Sequence, residues 1–290
     1  MRNPQSSRLG GNEFLTFHSR SVNLGKSMFW SFKKGSQPTK KLGLTMKSET
    51  ASTSSLKTFI KSIPLIGPTA GRLAHLPLVA RVRRLVFPGS ASFWESVYRH
   101  GGTSGPGSYG RLAQFKAEIL NHFVWTRNLR TVVEFGCGDG AQLSLAKYPE
   151  YVGVDVSPVA VRRCSSLFAN DRSKRFFLLG ALPADLGTFD LALSLDVIYH
   201  LVEDRVFEEY MSRLFSFSRR YVVIYASNYD ARTDALHVRH RNFTAWIDKK
   251  APEWQPAGFI ANRFPAEPLQ PDETSFADFH FFIRKDALKE

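Results

Sequence analysis

The segment Val132-Val133-Glu134-Phe135-Gly136-Cys137-Gly138-Asp139-Gly140 carries an apolar run straight into three glycines spaced two apart, and nothing else in the 290 residues constrains the fold as tightly. A short apolar run bounded by turn residues reads as a buried strand. Glycines at alternate positions let the backbone pass through positive φ and approach a bound molecule more closely than a side chain would permit. With a helix expected over 140–147, the segment is a strand, a binding loop and a helix start, which is the geometry that cradles a nucleotide-like ligand.

Gly136, Gly138 and Ala141 also satisfy the spacing GxGxxG/A of dinucleotide sites, so the loop alone leaves two chemistries open. Two neighbours separate them. Glu134 stands two residues before Gly136, where a carboxylate can orient the loop and accept a hydrogen bond from an ammonium group. Tyr151-Val152-Gly153-Val154-Asp155 reads as a second strand ending in an acid, nineteen residues after Gly136. Such an aspartate accepts both hydroxyls of a ribose. Ser157-Pro158 then gives a helix cap followed by a proline at the first helical position.

Together these residues resemble the class I S-adenosylmethionine (SAM) dependent methyltransferases, whose signature is a hydrophobic strand, EhGCGxG, and a GVDxS strand end. The resemblance covers about residues 91 to 290 and is favoured over a nicotinamide-binding reading. It implies an α/β fold with a doubly wound, seven-stranded Rossmann-like sheet of order 3-2-1-4-5-7-6, the last strand antiparallel. It also implies SAM as cofactor. Glu134, Gly136, Gly138 and Gly140 would hold its amino-acid part, Asp155 its ribose and Val156 its adenine, with Cys137, Asp139, Ser157, Ala181, Leu182 and Asp196 completing the expected contacts. Gly180 stands where many relatives place an acid near the exocyclic amine, which leaves the adenine to backbone contacts. Phe189 to His200 looks like the family's fourth strand, whose end faces the methyl donor.

Trp94 and Tyr98 are spaced to share a helix face, and the glycine-dense run from Gly101 to Gly110 could close over a ligand without side-chain obstruction. Similar WExxY segments in related methyltransferases cover the methionine end of the cofactor; the plainer reading is a turn with a core tryptophan. A helix over 111–125 should bury Leu112, Phe115, Ile119 and Phe123. Beyond it, strands are expected near 131–135, 151–155, 175–179, 189–195, 220–225, 257–262 and 279–284. Helices are expected at 158–169, 203–217 and 241–250, an alternation that suits a parallel sheet. Val206, Phe207, Tyr210, Met211, Leu214 and Phe215 form an apolar stripe and read as core.

Charge is concentrated outside this domain. Residues 1–90 hold 15 Lys and Arg against only Glu13 and Glu49, whereas residues 91–290 hold 24 of each sign. The net charge of +13 therefore describes the arm and says little about the site. Residues 1–55 lack a sustained apolar period and read as a disordered basic arm; Met28 and Met46 are alternative starts. Residues 56–90 read as a basic amphipathic helical segment, with Leu56, Phe59, Ile60 and Ile63 on one face. Such a segment packs on the domain or lies on an anionic membrane surface. Two cysteines, Cys137 and Cys164, form no disulfide framework, and no run is long enough for a spanning helix, so a cytoplasmic protein is expected, peripheral at the inner membrane surface if the segment binds lipid. No metal-ligand spacing is present.

Methyl transfer is a displacement at a carbon bonded to a positive sulfur, so the protein mainly positions reactants and excludes water. A hydroxyl acceptor must also lose a proton, for which histidine is suited at neutral pH. His200, after the fourth strand, and His237 and His240, in Leu236-His237-Val238-Arg239-His240-Arg241, are the candidate bases. Arg239 and Arg241 beside them would suit an oxygen-rich or acidic acceptor. An [DNS]PP[YFW] segment for amino-methylation of DNA is missing, since Asp196-Val197-Ile198-Tyr199 stands there, and neither cysteine follows a proline as a cytosine C5 nucleophile would. A nucleic-acid acceptor is therefore disfavoured. The expected reaction is methylation of a hydroxyl on a small molecule or glycan; the alternatives are an RNA methyltransferase using the basic arm and a non-catalytic SAM-binding protein.

Overall fold

The computed structural model describes residues 86–288. The expected arm, the alternative starts and all but the end of the 56–90 segment lie outside those residues. Seven strands form one sheet: β1 (Thr131–Phe135), β2 (Glu150–Asp155), β3 (Lys174–Leu178), β4 (Phe189–Leu195), β5 (Ser218–Ala226), β6 (Trp254–Ile260) and β7 (Asp278–Arg284). Their spatial order is 3-2-1-4-5-7-6. Strands β1 to β5 pair in parallel, and β7 runs antiparallel between β5 and β6. This is the architecture that the resemblance implied.

Helices α1 (Ser90–Arg99), α2 (Gly110–Thr126), α3 (Pro158–Leu167), α4 (Asp204–Ser216) and α5 (Phe243–Lys250) connect and cover it. The central strands are buried on both faces, which is why β1 and β4 read as nearly unbroken apolar runs. Their side chains alternate between two cores. Val133 and Phe135 join Phe207, Met211 and Leu214 of α4 and Ile247 of α5. Val132, Leu191 and Leu193 join Phe115, Leu120 and Val124 of α2 and Cys164 of α3.

Three local expectations are corrected. Residues 140–147 make only a single 3₁₀ turn, Leu143–Leu145, not a helix. The segment is drawn onto α2, where Asn121 donates to the Leu145 carbonyl at 2.9 Å and accepts from the Lys147 amide at 2.7 Å. Pro149 disfavours helical backbone at the residue before it. Val206 belongs to the rim of a cleft rather than to the core, being 36% exposed. A two-residue antiparallel ribbon, Ala231–Arg232 with Arg239–His240, was not foreseen. Its formation brings the histidine segment back against the end of β5.

Asp190 joins the central strands where β4 is irregular. Its buried carboxylate accepts from the Arg130 and Thr131 amides at 2.8 and 3.1 Å and pairs with Arg219 at 2.9 Å. Asp190→Ala removes the partner of two part-buried amides and of Arg219 and is expected to cost about 3 kcal/mol. The midpoint of urea unfolding measures this directly, and a shift equivalent to less than about 1 kcal/mol would contradict the assignment.

Candidate active site

The carboxyl ends of β1, β2 and β4 open into one cleft, at the point where strand order reverses between β1 and β4. Its floor is the glycine loop. Gly136 and Gly138 have φ of 87° and 59°, and a Cβ at either would stand 2.4 Å from Val197 Cγ2 or 2.2 Å from Ser104 Oγ. Only glycine fits this bend.

Asp155 braces the loop from β2. One carboxylate oxygen accepts from the Gly138 amide at 3.0 Å and the other from the Ser157 amide at 2.9 Å. Ser157 caps α3 through Ala160, as its sequence context predicted. Glu134 lies beneath, accepting from the Tyr151 hydroxyl at 2.7 Å. Burial pushes Glu134 up to about 7 and Asp155 up to about 6, although Tyr151 and the two amides favour the ionised forms.

At the end of β4, Asp196 adopts φ 60°, a strained conformation for a non-glycine residue. Lys116 of α2, 1% exposed, donates to its Oδ2, and the Tyr199 hydroxyl donates to Oδ1 at 2.8 Å. Each carboxylate oxygen thus already accepts from one protein group. A roof comes from the segment before the sheet. Trp94 and Tyr98 lie on one face of α1 and both line the cleft. Ser104 donates its amide to Asp139 at 2.8 Å and accepts from the Asp139 amide at 2.9 Å, while the Tyr109 hydroxyl donates to the same carboxylate at 2.7 Å. Asp139 therefore clasps the roof to the glycine loop and does not line the cleft.

Of the other expected contacts, Val156 lines the cleft and is 37% exposed. Cys137 lines it as well, with its thiol directed at Cys164. Gly140 packs against α3, and Ser157, Ala181 and Leu182 stand outside the lining, where Leu179 is found instead. Lys116, Gln142, Ser104 and Leu179 went unrecognised in the sequence. Lys116 had a signal, a charge on the apolar stripe that Leu112 and Phe115 begin.

The three histidines separate. His200 lines the cleft beside Trp94, with ring centroids 4.8 Å apart. Its Nδ1 lies 3.0 Å from the His237 carbonyl. A carbonyl only accepts, so Nδ1 carries the proton. Burial holds His200 down to about 4, leaving it neutral, with Nε2 an unprotonated acceptor. His237 stacks between Phe93 and His200, outside the lining. His240 is buried away from the cleft, with Nδ1 2.7 Å from Ser227 Oγ and its ring stacked on Tyr229. Arg239 and Arg241 stand outside the cleft lining. Both pair with Asp204; Arg239 Nη1 also donates to the Val202 carbonyl, and the other donors of Arg241 reach the Leu201 and Val202 carbonyls.

Residues 133–217, from β1 through α4, match the family model described as a methyltransferase domain. The match contains the glycine loop, Asp155, β4 and His200. Among solved structures, the domain is similar to the methyltransferase domain of a bacterial Hen1 (CtHen1-CN; 20% identity, 60% of this chain and 100% of that one, TM-score 0.46). It is similar also to the N-methyltransferase NodS of Bradyrhizobium japonicum WM9 in complex with S-adenosyl-L-homocysteine (SAH) (14%, 60% and 87%, 0.46). A third likeness is to the magnesium protoporphyrin IX methyltransferase of Synechocystis PCC 6803 with bound SAH (16%, 59% and 83%, 0.44). No curated protein matches the chain.

Methyltransferases of this family use SAM. The cleft fits such a molecule: three carboxylates, Glu134, Asp155 and Asp196, face one ammonium, Lys116, which suits a ligand of net positive charge. Among the described residues no group of side chains could hold a metal ion, and no helix is long and apolar enough to cross a membrane.

The raised acids set a pH dependence. Protonated below about 6 to 7, they attract a cation only once ionised, so affinity for SAM is expected to rise with pH, by about ten-fold from pH 5.5 to 7.5. Titration calorimetry at several pH values checks this; a flat profile would show that neither acid changes charge on binding.

Proposed function

We propose that the chain is a SAM-dependent methyltransferase acting on a hydroxyl of a small molecule or saccharide, with His200 as the base. The observation that carries the reading is the neutral, oriented imidazole at the cleft wall. When bound, SAM supplies a methyl group on a sulfonium whose departure leaves a neutral thioether. The residues of the chain do the rest. Glu134 and the glycine loop hold the amino-acid end, and Asp155 and Val156 the nucleoside. Trp94 offers a flat face on which a sugar or aromatic ring can rest. His200 Nε2 would accept the proton that the acceptor hydroxyl gives up, while Nδ1–H stays on the His237 carbonyl. A base that starts neutral would not repel the positive charge that the cofactor would bring, which favours an uncharged imidazole there. The roof of α1 and its glycine-rich loop limits access of water.

An RNA acceptor is the weaker reading. The one basic side chain lining the cleft, Lys116, is buried against Asp196, so the cleft offers no exposed cation to a phosphate backbone. Extracts incubated with methyl-labelled SAM, with and without the protein, test the proposal by mass spectrometry. A labelled ether in the small-molecule fraction is expected; label confined to RNA, or none despite SAM binding, would overturn it.

A further inference from the structure

Ala91, Trp94, His200, Leu201 and Val206 belong to one wall of the cleft. Ala91 and Trp94 are three residues apart on α1 and share a helix face. Ser90 ties that helix to the segment before α4, donating its amide to Glu203 at 2.8 Å and accepting from the Val202 amide at 3.1 Å. The Trp94 and His200 rings meet at 74°, with centroids 4.8 Å apart. The result is a corner with an indole on one side and an imidazole on the other. Val206, in the first turn of α4, is left 36% exposed at the rim. An apolar side chain at the mouth of a cleft is stabilised when a ligand covers it.

The hydroxyls of Ser90, Tyr98 and Tyr210, which also line the cleft, already have protein partners. Ser90 Oγ donates to Glu203, Tyr98 shares a hydrogen bond with Ser104 Oγ at 3.0 Å, and Tyr210 engages the Phe135 carbonyl and Ser194 Oγ at 2.9 and 2.8 Å. In the corner, His200 Nε2 remains as an acceptor, because Nδ1 carries the proton. A saccharide brings several hydroxyls, each costly to bury unpaired. A planar ring with one hydroxyl gains instead by lying on Trp94. We infer that the acceptor is a phenol, its ring against Trp94 and Val206 and its hydroxyl at His200 Nε2. This class rests on the reading of the cleft as a SAM site with His200 as base, and narrows it. Proton transfer points the same way. His200, held down to about 4, is a weak base, and transfer becomes harder as the donor's pKa moves further above that of the base. A phenolic hydroxyl lies at about 10, and an alkyl hydroxyl is close to the ~16 of water. The phenol is therefore the better match.

Turnover of methyl-labelled SAM by the full chain, with naphthol, phenylethanol or methyl glucoside as acceptor, tests the class. Naphthol is expected to give a kcat/KM about 100-fold or more above the glucoside. Phenylethanol, which offers an aromatic ring but an alkyl hydroxyl, should match naphthol in KM within about ten-fold and fall about 100-fold or more below it in kcat. Val206→Asn should raise KM for naphthol about ten-fold, with Kd for SAH within about two-fold of wild type; retained SAH binding shows that the variant folds. Methylation of the glucoside or of phenylethanol as fast as naphthol, no methylation of naphthol by protein that binds SAH, or an unchanged KM in Val206→Asn would overturn the phenol. Failure of wild type to bind SAH would instead overturn the SAM reading itself.

Discussion

Replacing His200 by alanine is expected to lower kcat about 10²–10⁴-fold on a hydroxyl acceptor, with Kd for SAH within about two-fold of wild type. The argument is geometric before it is electrostatic. His200 reaches the cleft, its Nδ1 is committed to the His237 carbonyl, and stacking on His237 and edge contact with Trp94 fix the ring. Burial lowers its pKa to about 4, so the imidazole stays neutral and able to accept a proton as pH falls through the ordinary histidine range. The acid limb of the kcat profile should therefore lie near pH 4 to 5 rather than near 6.5. His240→Ala serves as the contrast, since that ring is tied to Ser227 and Tyr229 outside the lining, and its kcat should fall less than ten-fold. If His200→Ala keeps full activity, or loses activity only in proportion to cofactor affinity, the base is some other group.

Asp155→Ala is expected to weaken SAM binding by about 1–3 kcal/mol, or about five- to 150-fold. Two losses combine. The ribose loses its acceptor, and the Gly138 and Ser157 amides lose the carboxylate that holds the glycine loop and the start of α3 in place. Asp155→Asn separates them, because its single amide oxygen can still serve one of the two backbone donors. Calorimetry with SAH and a thermal melt distinguish lost affinity from lost stability. An unchanged Kd in Asp155→Ala would remove this residue from the nucleoside site.

The fold was legible because its signals are local and repeated. Alternation of apolar strands with amphipathic helices, and glycines that must adopt positive φ, determine a parallel sheet whatever the ligand. The floor of the cleft was legible for the same reason, since Glu134, Gly136, Gly138, Asp155 and Val156 lie within one strand–loop–strand unit. What could not be read was assembled over long chain distances. Nothing local in Lys116 says that it meets Asp196 across eighty residues, or in Gln142 that its amide docks on Ala113. Among the histidines, sequence spacing treated three as equivalent. Packing distinguished them, by turning His200 into the cleft and committing His240 to Ser227. Arg239 and Arg241 looked like substrate contacts because exposed cations often are, but both pair with Asp204 and stand outside the lining.

The lead-in segment is stitched to elements far along the chain: Ser90 to Glu203 of the loop before α4, Tyr98 and Gly102 to Arg163 of α3, Ser104 to Asp139. A truncated protein starting at the first strand would keep every residue of the matched family segment and still be a vessel missing its front wall. Any shortened version meant for binding or crystallisation work must therefore begin no later than Ser90.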